Sequence, residues 1–162
     1  MAMLEVSGVS KNFSGLRAVA DVSFAVPEGA IFAVIGPNGA GKTTLFNLIA
    51  GMFAPNSGTI TFQGERIEGR TPDEVCRRGI GRTFQIVRPF PALSVEDNVM
   101  VGALLRHGDP RQAMARAHEV LRRLDLYDKR SHDAGSLTLP DRKRLEVARA
   151  LATEPKLLLL DE

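Results

Sequence analysis

The sequence predicts an α/β fold with a mainly parallel core sheet, an antiparallel β part near the N-terminus and an inserted helical subdomain. Three features carry this expectation. Residues 30–35 (Ala-Ile-Phe-Ala-Val-Ile) form an unbroken apolar run that meets a glycine-rich loop at Gly36 and then a helical pattern. Residues 157–160 are four leucines in a row. Strands covered on both faces read this way, because neither face alternates with residues for water. Between 94 and 135 the pattern is helical, flanked by β-rich segments.

Taken in order, residues 4–6 and 20–26 read as short strands, with Pro27-Glu28-Gly29 as a turn. The run 30–35 is expected to be a buried strand. A helix starts near Thr43, places Leu45, Leu48 and Ile49 at helical spacing, and stops around Gly51, a residue suited to a C-terminal cap. Residues 58–62 (Gly-Thr-Ile-Thr-Phe) alternate as a strand and end in Gln63-Gly64, a hairpin signal. Residues 72–78 are a short polar helical stretch. Ser94 with Asp97 resembles a capping box that opens a helix to about Arg106. Asp109-Pro110 places a capping carboxylate before proline at the first helical position. The helix that follows carries Ala113, Ala117, Val120, Leu121 and Leu124 as one apolar stripe among arginines. A further helix, about 141–153, leads through Glu154-Pro155 into the leucine run. The organisation is then a core over 1–93, a helical subdomain over 94–140, and a helix with a returning acidic strand over 141–162.

Composition excludes several classes of function. Of 162 residues, 44% are apolar and 25% charged, the balance of a chain that can bury a core. Lys and Arg number 21 against 19 Asp and Glu, too small an excess to expect nucleic acid as a partner. One cysteine, Cys76, rules out an internal disulfide framework and fits a reducing compartment. No secretory signal opens the chain, and neither apolar run approaches the ~18 residues of a membrane span. Direct membrane insertion is not expected.

Residues 36–43, Gly36-Pro37-Asn38-Gly39-Ala40-Gly41-Lys42-Thr43, fit G-x-x-x-x-G-K-[ST] at every fixed position. Phosphates need several donors converging without side chains in the way. Glycines let the backbone curl so that N–H groups from Gly39 to Thr44 face one concavity. The next helix adds the positive end of its dipole. Lys42 is expected to reach the β- and γ-phosphates, and the Thr43 hydroxyl to ligate Mg²⁺. The position between an apolar run and a helix is the context that a P-loop requires. A plain glycine turn with a surface lysine is the weaker reading. The leucine run ends in Asp161-Glu162: one carboxylate for Mg²⁺, the other to orient and deprotonate water.

The order P-loop, helical insertion, acidic strand resembles the ATPase subunits of ABC transporters, and further residues extend that resemblance along essentially the whole chain. It implies a P-loop NTPase core whose C-terminal part is missing here, since the family continues past the acidic strand. Phe13, in Lys11-Asn12-Phe13, stands where the family places an aromatic that stacks on adenine; a packed core ring is the alternative. Gln85, in Arg82-Thr83-Phe84-Gln85, matches the glutamine that contacts Mg²⁺ or the attacking water and adjoins the surface for the membrane subunit. The family's signature loop usually reads Leu-Ser-Gly-Gly-Gln. Here it is Leu137-Thr138-Leu139-Pro140-Asp141, before a helix that matches well. Thr138 keeps a hydroxyl for a γ-phosphate, Pro140 has no N–H to donate, and Asp141 would repel a phosphate.

The resemblance implies two subunits closing over two ATP molecules, each held between one P-loop and the other subunit's signature loop. Glu162, Gln85 and Lys42 are the implied catalytic residues. Nucleotide contacts fall to Phe13, Gly36, Asn38, Gly39, Ala40, Gly41, Lys42, Thr43, Thr44 and Thr138, and Mg²⁺ to Thr43, Gln85 and Asp161. Arg-Thr-Phe-Gln followed by Ile86-Val87-Arg88-Pro89-Phe90 looks most like the ATPases of branched-chain amino-acid importers, which pair two non-identical ATPases. The expected partners are therefore a second ATPase and transmembrane permease subunits, with a solute-binding protein engaged indirectly. The expected location is the cytoplasmic face of the plasma (inner) membrane. Urea or amide importers, lipopolysaccharide exporters, a soluble ABC ATPase and a non-hydrolysing nucleotide sensor are the alternatives. A small-molecule kinase would not need a signature-type helix. Residues 1–162 alone are expected to bind nucleotide weakly and to lack appreciable turnover. His107, His118, His132 and the run Arg142-Lys143-Arg144 are read as structural.

Overall fold

The computed structural model describes residues 2–84 and 89–161. Gln85 and Glu162, both given roles above, lie outside the described residues, as do Ile86, Val87 and Arg88. The chain divides into two compact units, Met1–Val75 and Cys76–Glu162.

The first unit is built on an antiparallel sheet of order β2-β1-β3-β4, from β1 (Ala2–Phe13), β2 (Leu16–Pro27), β3 (Ser57–Phe62) and β4 (Glu65–Arg66). Both early strands run much longer than their sequence pattern suggests. A bulge at Gly8 explains part of this. Val6 pairs with Phe24 and Val9 with Val22, so β1 carries one extra residue there. Gly8 takes a φ of +60° and donates its N–H to the Ser23 hydroxyl at 2.8 Å. The extra residue keeps Leu4, Val6 and Val9 all buried, although strict alternation would turn Val9 outward. At the other end Gln63 and Gly64 both have positive φ, 50° and 83°, the requirement of a type I′ hairpin between β3 and β4.

Helix α1 (Lys42–Ile49) buries Leu45, Leu48 and Ile49, the stripe its spacing predicts. It stops where expected. Gly51 sits at φ +78°, its N–H reaches the Leu48 carbonyl, and Met52 N–H reaches Asn47 at 2.8 Å, together a Schellman cap. The run 30–35 departs from its expectation. It forms no strand, Ile31 and Ile35 are fully exposed, and the half-exposed Phe32 stacks face to face on Phe24 at 5.0 Å. The cause is pairing. A central strand needs hydrogen-bonded neighbours on both sides, and among the described residues no strand pairs with this run.

The second unit holds a parallel pair, β5 (Ile80–Arg82) with β6 (Leu157–Leu159), in register from Ile80↔Leu157 to Arg82↔Leu159. Strand β5 has three residues, one of them glycine, and shows no sequence pattern; the pairing creates it. Helix α2 (Pro72–Arg78) precedes β5. Around the pair lie α3 (Val95–Ala103), α4 (Pro110–Arg123) and α5 (Leu139–Ala152). The caps of α3 and α4 are those read from sequence: Ser94 accepts from Asp97 N–H at 3.0 Å, and Asp109 from Arg111 N–H at 2.9 Å. The Asp97 carboxylate, however, accepts the Ser94 hydroxyl at 2.6 Å. Helix α3 ends at Ala103, before Arg106, and α5 starts two residues earlier than expected. The core joins Val95, Val99 and Ala103 to Ala113, Ala117, Val120, Leu121, Leu145, Ala148 and Ala152.

Candidate functional site

In the first unit, the glycine-rich loop runs into α1 through Gly41, which is the N-cap residue at φ 91°, ψ 9°. That left-handed conformation strains any residue with a Cβ. A Cβ at Gly41 would also run into the carbonyl oxygen of Ala18 on β2, so glycine is required twice over. Gly39 likewise takes φ +83°, and Ala40 N–H closes a turn onto the Pro37 carbonyl at 3.2 Å. The two left-handed glycines curl the backbone from Gly36 to Thr43 into a loop. No side chain caps α1, and its first turn holds no acidic residue, whereas Ser94, Asp109 and Thr138 cap the three long helices of the second unit. The Lys42 ammonium lies within the loop, donating to the carbonyls of Gly36 at 2.7 Å and Pro37 at 2.9 Å. A positive helix end, a curled backbone and a lysine at one place suit a phosphate chain. Asn38, Thr43 and Thr44 lie on this loop and first turn.

Phe13 ends β1 with its ring 37% exposed, so it is not the packed core residue of the alternative reading. Phe53 meets it edge-on at 5.3 Å. The sequence reading passed over Phe53 and Lys11, whose ammonium stands 5.2 Å from the Phe13 ring centre.

In the second unit, the Asp161 backbone N–H donates to the Thr83 hydroxyl at 3.3 Å, just past the end of β6. Thr83 N–H in turn bonds the Leu159 carbonyl at 3.0 Å. The Asp161 carboxylate is buried against the Arg82 guanidinium at 3.2 Å, both side chains less than a tenth exposed. Register explains the pair: Arg82 is opposite Leu159, so its side chain reaches the residue beyond the strand. Among the described residues no cluster of three or more His, Cys, Asp or Glu could hold a metal unaided. Mg²⁺ in general takes one or two protein oxygens and fills its other positions with substrate phosphates and water.

Thr138 caps α5, and its loop is closed on itself. The Thr138 hydroxyl donates to Asp141 Oδ2 at 2.8 Å and accepts from Asp141 N–H at 3.4 Å. The Lys129 ammonium meets the same carboxylate oxygen at 2.5 Å, and Arg144 stands at 3.7 Å. The lysine's hydrogen bond, then the threonine's, hold the Asp141 carboxyl below its usual range. Nothing in the local pattern announces Lys129, twelve residues away. Arg142 donates to the Gly135 carbonyl at 2.6 Å, so the basic run is in part a structural clamp.

One buried polar residue escaped the sequence reading. Asn98 is wholly buried on the apolar face of α3, accepting from Phe90 N–H at 2.8 Å and donating to the carbonyls of Phe90, Leu93 and Ser94. An asparagine beside Val95 and Val99, within the inward stripe, was the available signal. The Arg149 guanidinium lies 4.8 Å over the Phe90 ring. His118 pairs with Glu96 at 2.7 Å and His107 with Glu154 at 2.8 Å, both as links between helical segments.

The sequence model of one family, described as ABC transporter, matches residues 19–162. A high-affinity branched-chain amino acid transport ATP-binding protein, BraF of Pseudomonas aeruginosa, is 38% identical over 99% of this chain and 69% of its own length. The corresponding LivG protein of Salmonella typhimurium matches to the same extent. Among solved structures, an ATP-binding cassette of an ABC transporter in its ADP conformation superposes with a TM-score of 0.87 at 31% identity. All of this chain and 69% of that one are covered. Among the described residues no helix is long and apolar enough to cross a membrane.

Proposed function

Because this chain belongs to the ABC transporter family, we propose that it binds and hydrolyses ATP to power import of branched-chain amino acids through permease subunits at the cytoplasmic face of the membrane. The observation that carries the nucleotide reading is the α1 N-terminus: left-handed Gly41 pressed against Ala18, no capping side chain, and Lys42 within the loop. The solute is supported by similarity to BraF and LivG along nearly the whole chain.

In this reading the backbone N–H groups from Gly39 to Thr44 cradle the phosphates, and Lys42 offsets charge on the β- and γ-phosphates. The Phe13 ring stacks on adenine. Thr43, Gln85 and Asp161 are the residues assigned to Mg²⁺, which when bound neutralises phosphate charge. Glu162 takes a proton from the attacking water. Surface around Gln85 and Phe90 passes closure to the permease.

The test uses the full-length protein co-expressed with its permeases and partner ATPase. ATP turnover is expected to rise when leucine-loaded solute-binding protein is added. Failure to co-purify with any polytopic membrane protein would end the transport reading, and indifference to leucine the solute reading.

The pair of composite sites is expected to be unequal. In the family's arrangement a signature loop faces the partner's ATP, and here Thr138 is already bonded to Asp141, and Asp141 to Lys129. A buried carboxylate held charged at a helix N-terminus leaves a poor place for a second anion. Disabling the partner's signature loop should therefore abolish most turnover, whereas Thr138→Ala, which removes a helix cap, should lower it by no more than about twofold. The opposite ranking in steady-state ATPase assays would overturn this asymmetry.

A further inference from the structure

The ring taken to stack on adenine does not stand alone. Phe53, 40% exposed, meets Phe13 at an interplanar angle of 74°, edge against face. Lys11 places its ammonium 5.2 Å from the Phe13 ring centre and 6.0 Å from that of Phe53, and donates to the Ala54 carbonyl at 2.7 Å. One residue on, Asn12 N–H bonds the Asn56 side-chain oxygen at 2.7 Å. With Asn56 N–H donating to the Ser10 carbonyl at 2.8 Å, three hydrogen bonds stitch the loop after α1 to the end of β1, and that loop carries Phe53.

The other end of α1 is tied to the same hairpin. Gly41 abuts the Ala18 carbonyl, and Ala18 lies between Arg17 and Val19, the partners of Asn12 and Lys11. Leu16, paired with Phe13, is two residues from Ala18, or roughly 7 Å along the strand. Phosphate loop and aromatic ring therefore sit within one unit, anchored to one hairpin at both ends of one helix. Their separation along the hairpin is within the reach of a nucleoside triphosphate.

We infer that Phe53 and Lys11 are positioning residues for the nucleobase: together they fix the plane of the Phe13 ring before nucleotide arrives. The inference rests on the stacking role given to Phe13 above. A half-exposed ring at a hairpin tip would otherwise lose rotamer freedom on stacking. An edge-to-face partner and a nearby cation restrict it in advance.

The experiment compares Mg²⁺-ATP with inorganic triphosphate, which has no base, by calorimetric titration of the full-length subunit. Phe53→Ala is expected to weaken ATP about three- to tenfold and to leave triphosphate unchanged. Phe13→Ala should do the same, and the double variant should be no weaker than Phe13→Ala. Phe53→Leu, which keeps the loop filled, should also lose ATP affinity, and it is the variant to read if the alanine protein unfolds. If Phe13→Ala weakens ATP and the Phe53 variants do not, the positioning role is overturned while the stacking role stands. Equal losses for ATP and triphosphate would make Phe53 a purely structural residue and overturn the inference. If Phe13→Ala has no effect on ATP, the stacking role fails and takes the inference with it.

Discussion

Replacing Glu162 by glutamine in the full-length subunit is expected to lower ATP turnover about 100- to 10,000-fold, the usual worth of a positioned general base, while Mg²⁺-ATP still binds. The amide keeps the size of the carboxylate and its capacity to hold a water. It cannot take the proton. The preceding residue is rigidly placed: Asp161 N–H is held by the Thr83 hydroxyl and its carboxylate is buried against Arg82. Single-turnover and steady-state assays with the partner ATPase and permeases present would measure the loss. Unchanged turnover would remove Glu162 from its assigned part in the reaction.

Lys42→Ala is expected to weaken ATP binding about 100-fold with little change in thermal stability. The ammonium makes its two hydrogen bonds to carbonyls of the exposed loop, at Gly36 and Pro37, so the fold loses little when it goes. Toward a triphosphate the balance differs. A hydrogen bond to a charged group is worth about 1.5–3 kcal/mol, and about 2.7 kcal/mol corresponds to 100-fold in affinity. AMP, which lacks the β- and γ-phosphates, should bind the variant and the parent alike. Equilibrium binding of both nucleotides checks this. Retention of full ATP affinity would remove the phosphate-binding role from the loop, and most of the functional reading with it.

What was legible in the sequence shares one property: short range. The left-handed glycines of the loop before α1, the caps at Ser94 and Asp109, the Gln63-Gly64 hairpin and the stop at Gly51 are each decided by residues within a few positions. Backbone conformation and local hydrogen bonds respond mainly to those neighbours. The same holds for the apolar stripe of α4, which a window of two turns reveals. The ABC transporter family was readable for the same reason, because its motifs are contiguous.

Pairing and long-range electrostatics were not readable. Whether residues 30–35 are a strand depends on neighbours across the sheet, and the apolar run alone cannot supply them. Strand β5 exists because Leu157–Leu159 lies beside it. The partners of the functional side chains come from afar: Arg82 for Asp161, 79 positions away, Lys129 for Asp141 and Phe53 for Phe13. The sequence by itself determined the groups on offer, a glycine-rich loop with a lysine and an acidic strand end, since local patterns encode donors and backbone curvature. Only the tertiary structure decided what each charge and ring is held by, because Coulombic and packing forces act through space and are indifferent to separation along the chain.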